Sequence, residues 1–267
     1  MSVLLMTVWL TGCVQEEFES TPSPAGNGIR FTLTVPDVNL PSVSSRTMTG
    51  TGTAKKEDEI ETVDILVFDM SKTPAVFLEW VSATGVTQDL ADNSTVSFSA
   101  VLSPTTASTC IVVVANKELD NIVSGFTKGA TTKVEAMEKM LHTQTGKWLA
   151  DGSTTGGYTR IPMYGEKVIS KITPSMDPIT GINMKRMLAR IDIRNNSATS
   201  NFTVEEVYLA NYNTTGYIAP AWNTNGQVTD PVPDTPVLPA GSGKKTEEGD
   251  AILYSVNGNT PYDGEIY

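Results

Sequence analysis

A chain of 267 residues with 39% apolar side chains is long enough for one large domain or two medium ones. Its net charge of −11 argues against nucleic acid as a partner and favours solubility outside the cell. Two cysteines and one histidine leave no disulfide framework, metal site or catalytic triad to argue from.

Residues 1–13 read as a signal segment. An apolar run from Val3 to Leu10, with no Lys or Arg before it, ends in Leu10-Thr11-Gly12-Cys13. The run is shorter than the roughly 18 apolar residues of a spanning helix, so it predicts export rather than insertion. Its last four residues resemble a bacterial lipobox, which implies acylation of Cys13 and a lipid tether to a membrane. Residues 14–28, Gln15-Glu16-Glu17 followed by a Ser/Pro/Gly stretch, form a polar tether that cannot bury enough apolar surface to fold. An acidic pair just after the Cys resembles the signal that sends some Bacteroidetes lipoproteins to the outer face of the outer membrane.

From Ile29 the pattern has a period of two. Ile29, Phe31, Leu33 and Val35 alternate with Arg30, Thr32 and Thr34 until Pro36, which predicts a half-buried strand. Residues 39–58 are loose and polar and contain Arg46. Ile60, Val63, Ile65, Val67 and Phe68 predict a second strand ending at Asp69, and residues 76–81, 95–102 and 110–115 predict three more. The last is apolar at successive positions, as in a strand covered on both faces, and Cys110 within it reads as a small buried hydrophobe. Apolar residues at helical spacing predict a helix over about 132–142, with His142 near its C-terminus, where a cation is mildly favoured. Residues 151–157 form a loop, and Ile161-Pro162-Met163-Tyr164-Gly165-Glu166 opens a strand running to about Ile172.

Beyond Gly181, Met184, Leu188, Ile191 and Ile193 predict a strand ending at Arg194, and Phe202 to Asn211 another. This order of strand, polar loop and strand echoes residues 29–69. It suggests two related β domains, 29–180 and 181–267, although convergent β patterning produces the same echo. Residues 228–249 are a Pro/Gly/Ser loop before a last strand at 251–256. The second domain is short beside the roughly 100 residues of a small sandwich. It is expected to be incomplete, or to complete its sheet with a strand from elsewhere.

Taken in order, these segments resemble a Bacteroidetes fimbrillin, the subunit family of lipoprotein-derived type V pili. The matching residues are the lipobox Leu10 to Cys13, Phe31-Thr32-Leu33, Ser45-Arg46-Thr47 and the Val63 to Asp69 strand with its terminal Phe-Asp. They continue with Val112-Val113-Val114-Ala115-Asn116, Ile161-Pro162-Met163-Tyr164-Gly165 and Leu188-Ala189-Arg190-Ile191-Asp192-Ile193, where Arg190 stands in place of the usual Lys. The resemblance covers roughly residues 10–211, and the last 55 or so match poorly.

The resemblance implies an all-β fold of two transthyretin-like Greek-key sandwich domains, with one short helix in the first. It implies a lipid-anchored, surface-exposed outer-membrane protein that enters a fimbrium and supports adhesion. Its partners would be other fimbrillin subunits and an Arg-specific protease, with no cofactor. Removal of the first strand would open a groove that a neighbouring subunit's strand fills, a case of β-augmentation. Arg46 is the candidate cleavage site, because it lies between two strands among small, flexible residues. Arg30, within a strand, is a poorer candidate. The competing reading is a lipid-anchored adhesin or glycan-binding module that never polymerises, with Trp80, Trp148 and Trp222 as stacking faces. An enzyme is disfavoured. The acid pairs Glu16-Glu17, Glu205-Glu206 and Glu247-Glu248 flank no other catalytic group, and neither a phosphate loop nor a nucleophile elbow occurs.

Overall fold

The computed structural model describes residues 29–34, 58–88, 95–144, 146, 148, 159–189, 191–195, 205–229, 237–240, 242, 252–255 and 262–266. It is an all-β sandwich. The strands are β1 (Ile29–Thr34), β2 (Val63–Asp69), β3 (Val76–Ser82), β4 (Thr84–Gln88), β5 (Thr95–Ala100), β6 (Thr109–Ala115), β7 (Leu141–Thr143), β8 (Met163–Ile169), β9 (Ile179–Asn183) and β10 (Lys185–Arg186). They are followed by β11 (Ile191–Asn195), β12 (Glu206–Leu209), β13 (Thr215–Tyr217), β14 (Ile252–Ser255) and β15 (Tyr262–Ile266). One sheet has the order β4-β5-β1-β9, and the other has the order β10-β8-β6-β2-β3. β9 spans residue 180, so the sandwich takes strands from both sides of the domain boundary expected there.

Alternation along each strand explains the layers, since successive side chains point to opposite faces. Ile65 and Val67 of β2 and Ile111, Val113 and Ala115 of β6 face the four-stranded sheet. There they meet Phe31, Leu33, Val96, Phe98 and Ile182 in one core. The alternate residues, Leu66, Phe68, Cys110, Val112 and Val114, face outward into a second core. That core is closed by α1 (Asp120–Val123), α2 (Lys133–Lys139) and a segment carrying Ile218 and Ala219. β6 is therefore covered on both faces and buried along its whole length, as its unbroken apolar run predicts, and Cys110 is a free, buried thiol. Burial pushes that thiol's pKa up to about 11.

The helix forms where expected but ends sooner. Thr132 accepts from the Glu135 amide at 3.2 Å, and Glu135 Oε2 accepts from the Thr132 amide at 2.7 Å, a reciprocal cap encoded by Thr-x-x-Glu. After Lys139 the chain leaves the helix at Met140, and Leu141–Thr143 pairs with β13 instead. His142 thus lies on a strand rather than at the helix end. Pairing with a segment more than 70 residues away overrides the local helical periodicity. α1 and β4 carry no comparable sequence pattern.

Gly165 has a steric role. A Cβ there would lie 2.7 Å from Met184 Sδ and 2.8 Å from Ile182 Cγ2, where the chain crosses from one sheet to the other. Gly165→Ala is expected to cost about 1–3 kcal/mol in chemical denaturation, because this corner is already filled.

Asp64 gives a pH prediction. It is the buried carboxylate of β2, accepts from Ser82 Oγ at 2.7 Å, and has its pKa raised, chiefly by burial. A raised folded pKa means that the folded state holds this proton more tightly than the unfolded chain does. Its contribution to stability is therefore greatest in acid and is lost as pH rises through the raised value. Asp64→Asn, which keeps an oxygen for Ser82, is expected to raise the thermal midpoint at neutral pH. That advantage over the parent should shrink as pH falls through the raised value toward the ordinary carboxylate range.

Candidate assembly site

The first described strand does not sit at an edge. β1 lies between β5, to which it is antiparallel, and β9, to which it is parallel. Its alternation places Ile29, Phe31 and Leu33 in the core at 5%, 1% and 0% exposure, while Arg30 and Thr34 face solvent. Phe31 stacks on Phe98 of β5 with ring centroids 5.0 Å apart and planes within 7°. Val96 and Ala100 stand opposite Leu33 and Ile29 in the ladder. On the other side Phe31 pairs with Ile179 and Leu33 with Ile182, so β9 carries a bulge at Gly181, whose φ is +70°. This left-handed backbone suits glycine. Without β1, a gap would open between β5 and β9, floored by Ile65, Val67, Ile111 and Val113.

The outer strands are poor templates for another chain. β4 is bulged between Thr84 and Thr87, with Gly85 at φ +64°. β10 has two residues. β9 has its Thr180 carbonyl capped by the Lys167 ammonium from the opposite sheet. β3 has its first half covered, since Phe77 donates to the Thr131 carbonyl and accepts from Gly129.

The two residues that sequence reasoning placed at chemistry, Cys13 and Arg46, lie outside the described residues, as does Val35. Arg30 is described and is solvent-facing on β1. His142 packs its ring on Trp148 at 4.8 Å, and burial, then the charge of Lys117, lowers its pKa. It lies on β7 and not at the helix end where a cation is favoured. The tryptophans do not combine into a sugar-stacking face. Trp148 is buried and donates to the Thr159 carbonyl at 2.8 Å, Trp222 packs against Tyr217, and Trp80 packs on the outer core. Glu205 and Glu206 are exposed.

One buried polar cluster escaped sequence reasoning. Glu166 Oε2 accepts from Lys133 Nζ at 2.6 Å and from the Tyr164 hydroxyl at 2.5 Å, and Oε1 accepts from the Val228 amide at 3.4 Å. Lys133 is 1% exposed, and burial holds the Tyr164 phenol far above its ordinary pKa. The one available signal was the alternation of β8, which puts Tyr164 and Glu166 on the same, helix-covered face. Among the described residues no helix is long and apolar enough to cross a membrane.

The family model for the major fimbrial subunit protein (FimA) matches residues 29–232. Among solved structures, a fimbrial assembly protein from Parabacteroides distasonis is similar over 90% of this chain and 85% of its own, at 11% identity and a TM-score of 0.40. A putative cell adhesion protein from the same organism is similar over 90% of this chain and 70% of its own, at 18% identity and a TM-score of 0.44. No curated protein sequence matches.

Proposed function

The chain belongs to the major fimbrial subunit (FimA) family, and from that premise we propose that it is a lipoprotein pilus subunit assembled by strand exchange at the position of β1. The supporting observation is the interior place of β1. A described strand lying between two others, with residues 35–62 between it and β2, can be removed whole by one cut in that connection. What remains is an apolar slot with backbone partners on both sides, the arrangement that β-augmentation requires. Bulged, short or covered outer strands favour pairing at this slot over pairing at the sheet edges. In this reading Cys13 carries the lipid that holds the precursor on the outer membrane, and Arg46 is the bond an Arg-specific protease cuts. Adhesion follows from display on the fimbrium.

The reading is tested with purified chain and an Arg-specific protease. Cutting after Arg46, with departure of β1 verified by mass, should convert monomer into a ladder of polymers. Arg46→Ala should remain monomeric under the same protease, and Arg30→Ala should behave as the parent. A cut chain that has lost β1 and stays monomeric at high concentration would reject strand exchange and favour a non-polymerising adhesin. Cys13→Ala should separately release the protein from the membrane fraction.

A further inference from the structure

We propose that residues 213–229 form a strap that lifts from and recloses over the outer face of the five-stranded sheet as a unit, with Glu166 as its clasp. The proposal does not depend on strand exchange. The strap comes from the chain's second half, between β12 and β14, yet it completes a core whose other fully buried members all precede residue 165. Ile218 and Ala219 are buried there, with Trp222 and Val228 packed alongside, over Tyr164, Val112 and Cys110.

Its two ends are held very differently. The first end is stitched down. β13 pairs with β7, Gln144 donates to the Thr214 carbonyl, Ile218 donates to the Met140 carbonyl, and the Thr143 and Thr215 hydroxyls meet at 2.9 Å. From residue 219 to 229, a single hydrogen bond among the described residues joins the strap to the sandwich, from the Val228 amide to Glu166 at a long 3.4 Å.

The far end can lift without orphaning polar groups. Its hydrogen bonds are internal. Asn223 and Gln227 pair through the backbone, the Asn223 side chain accepts from the Asn225 and Gln227 amides, and Thr229 donates to the Ala221 carbonyl. On the sandwich side, Glu166 keeps Lys133 and Tyr164. Unmade hydrogen bonds are the main cost of separating polar surfaces, and here only one weak bond is at stake. A cleft of about 220 Å³ lined by Tyr164, Glu166, Asn183, Lys185, Pro220 and Val228 runs beside the clasp, so packing there is incomplete. Gly226 lies close against α2: at φ +75° its Cβ would meet Lys133 Cβ at 3.2 Å. Seating therefore depends on a glycine at this position.

Cys110 lies in the core that the strap closes and reports its opening. In the full chain carrying Cys13→Ser, the rate of Cys110 modification by a thiol reagent is measured well below the unfolding temperature. Gly226→Val, which cannot seat, and Val228→Ser, which removes the strap's apolar contact with the outer core beside the clasp, are each expected to speed labelling tenfold or more. Val96→Ala, in the core between the sheets, should leave the rate unchanged even where it lowers the thermal midpoint more. No acceleration in either strap variant would overturn the proposal. So would labelling that follows global stability across all three variants, because opening would then be whole-molecule unfolding.

Discussion

Glu166→Leu is expected to destabilise the fold by about 3–5 kcal/mol, the range for removing one partner of a buried ion pair. The reason is asymmetric burial. Lys133 is 1% exposed and the Glu166 side chain 21%, so losing the carboxylate strands an ammonium that water cannot reach. Lys133→Met removes the other partner and should cost less, roughly 1–3 kcal/mol, because Glu166 keeps the Tyr164 hydroxyl, the Val228 amide and some solvent. The double variant Lys133→Met/Glu166→Leu should recover most of the loss, since apolar replacement of a whole buried pair is often close to neutral. Urea denaturation of all three reads the cycle. A double variant as unstable as Glu166→Leu would show that the two charges do not act as a pair.

The second large effect concerns β1. Phe31→Ala is expected to cost about 3–5 kcal/mol, the usual range for a fully buried phenylalanine, of which the stack on Phe98 accounts for roughly 0.5–1.5. The side chain is 1% exposed, and its loss would leave a void between β5 and β9 at the bulge, where the ladder is already irregular. Arg30→Ala, one position away on the solvent face, should change stability by less than about 0.5 kcal/mol. Hydrogen exchange localises the effect: β1 amides should open faster in Phe31→Ala, while those of β6 keep their protection. Equal loosening of both strands would mean that β1 is integral to the fold rather than a separable piece.

Much of the sandwich was legible because its strands obey simple periods. Ile29, Phe31 and Leu33 announce one buried face by alternation, and residues 110–115 announce two by having none. Thr132 and Glu135 mark the helix start by their spacing. What could not be read depends on distant partners. His142 leaves the helical pattern because β13 supplies a strand to pair with. β4 is polar and bulged, so its Thr-Gly-Val-Thr-Gln sequence has no clean period. Lys133 looks like an ordinary solvated first-turn lysine until Glu166, on another element, turns it inward. The groove opened by loss of the first strand is implied by the family resemblance alone. The interior position of β1, between β5 and β9, could not be read, because strand order within a sheet leaves no local trace.

The parallel pairing of β1 with β9 also sets a timetable. Residue 31 has no partner on that side until residue 179 exists, so a chain made or exported from its N-terminus can pair β1 with β5 long before it can pair it with β9. Closing so long a loop is entropically slow and follows the more local pairing of β2, β3 and β6. β1 is thus held on one side only, by β5, until β9 exists. During that interval the second side of β1 stands open, and under the proposed strand exchange this is when a strand from another molecule would compete with it for the same place.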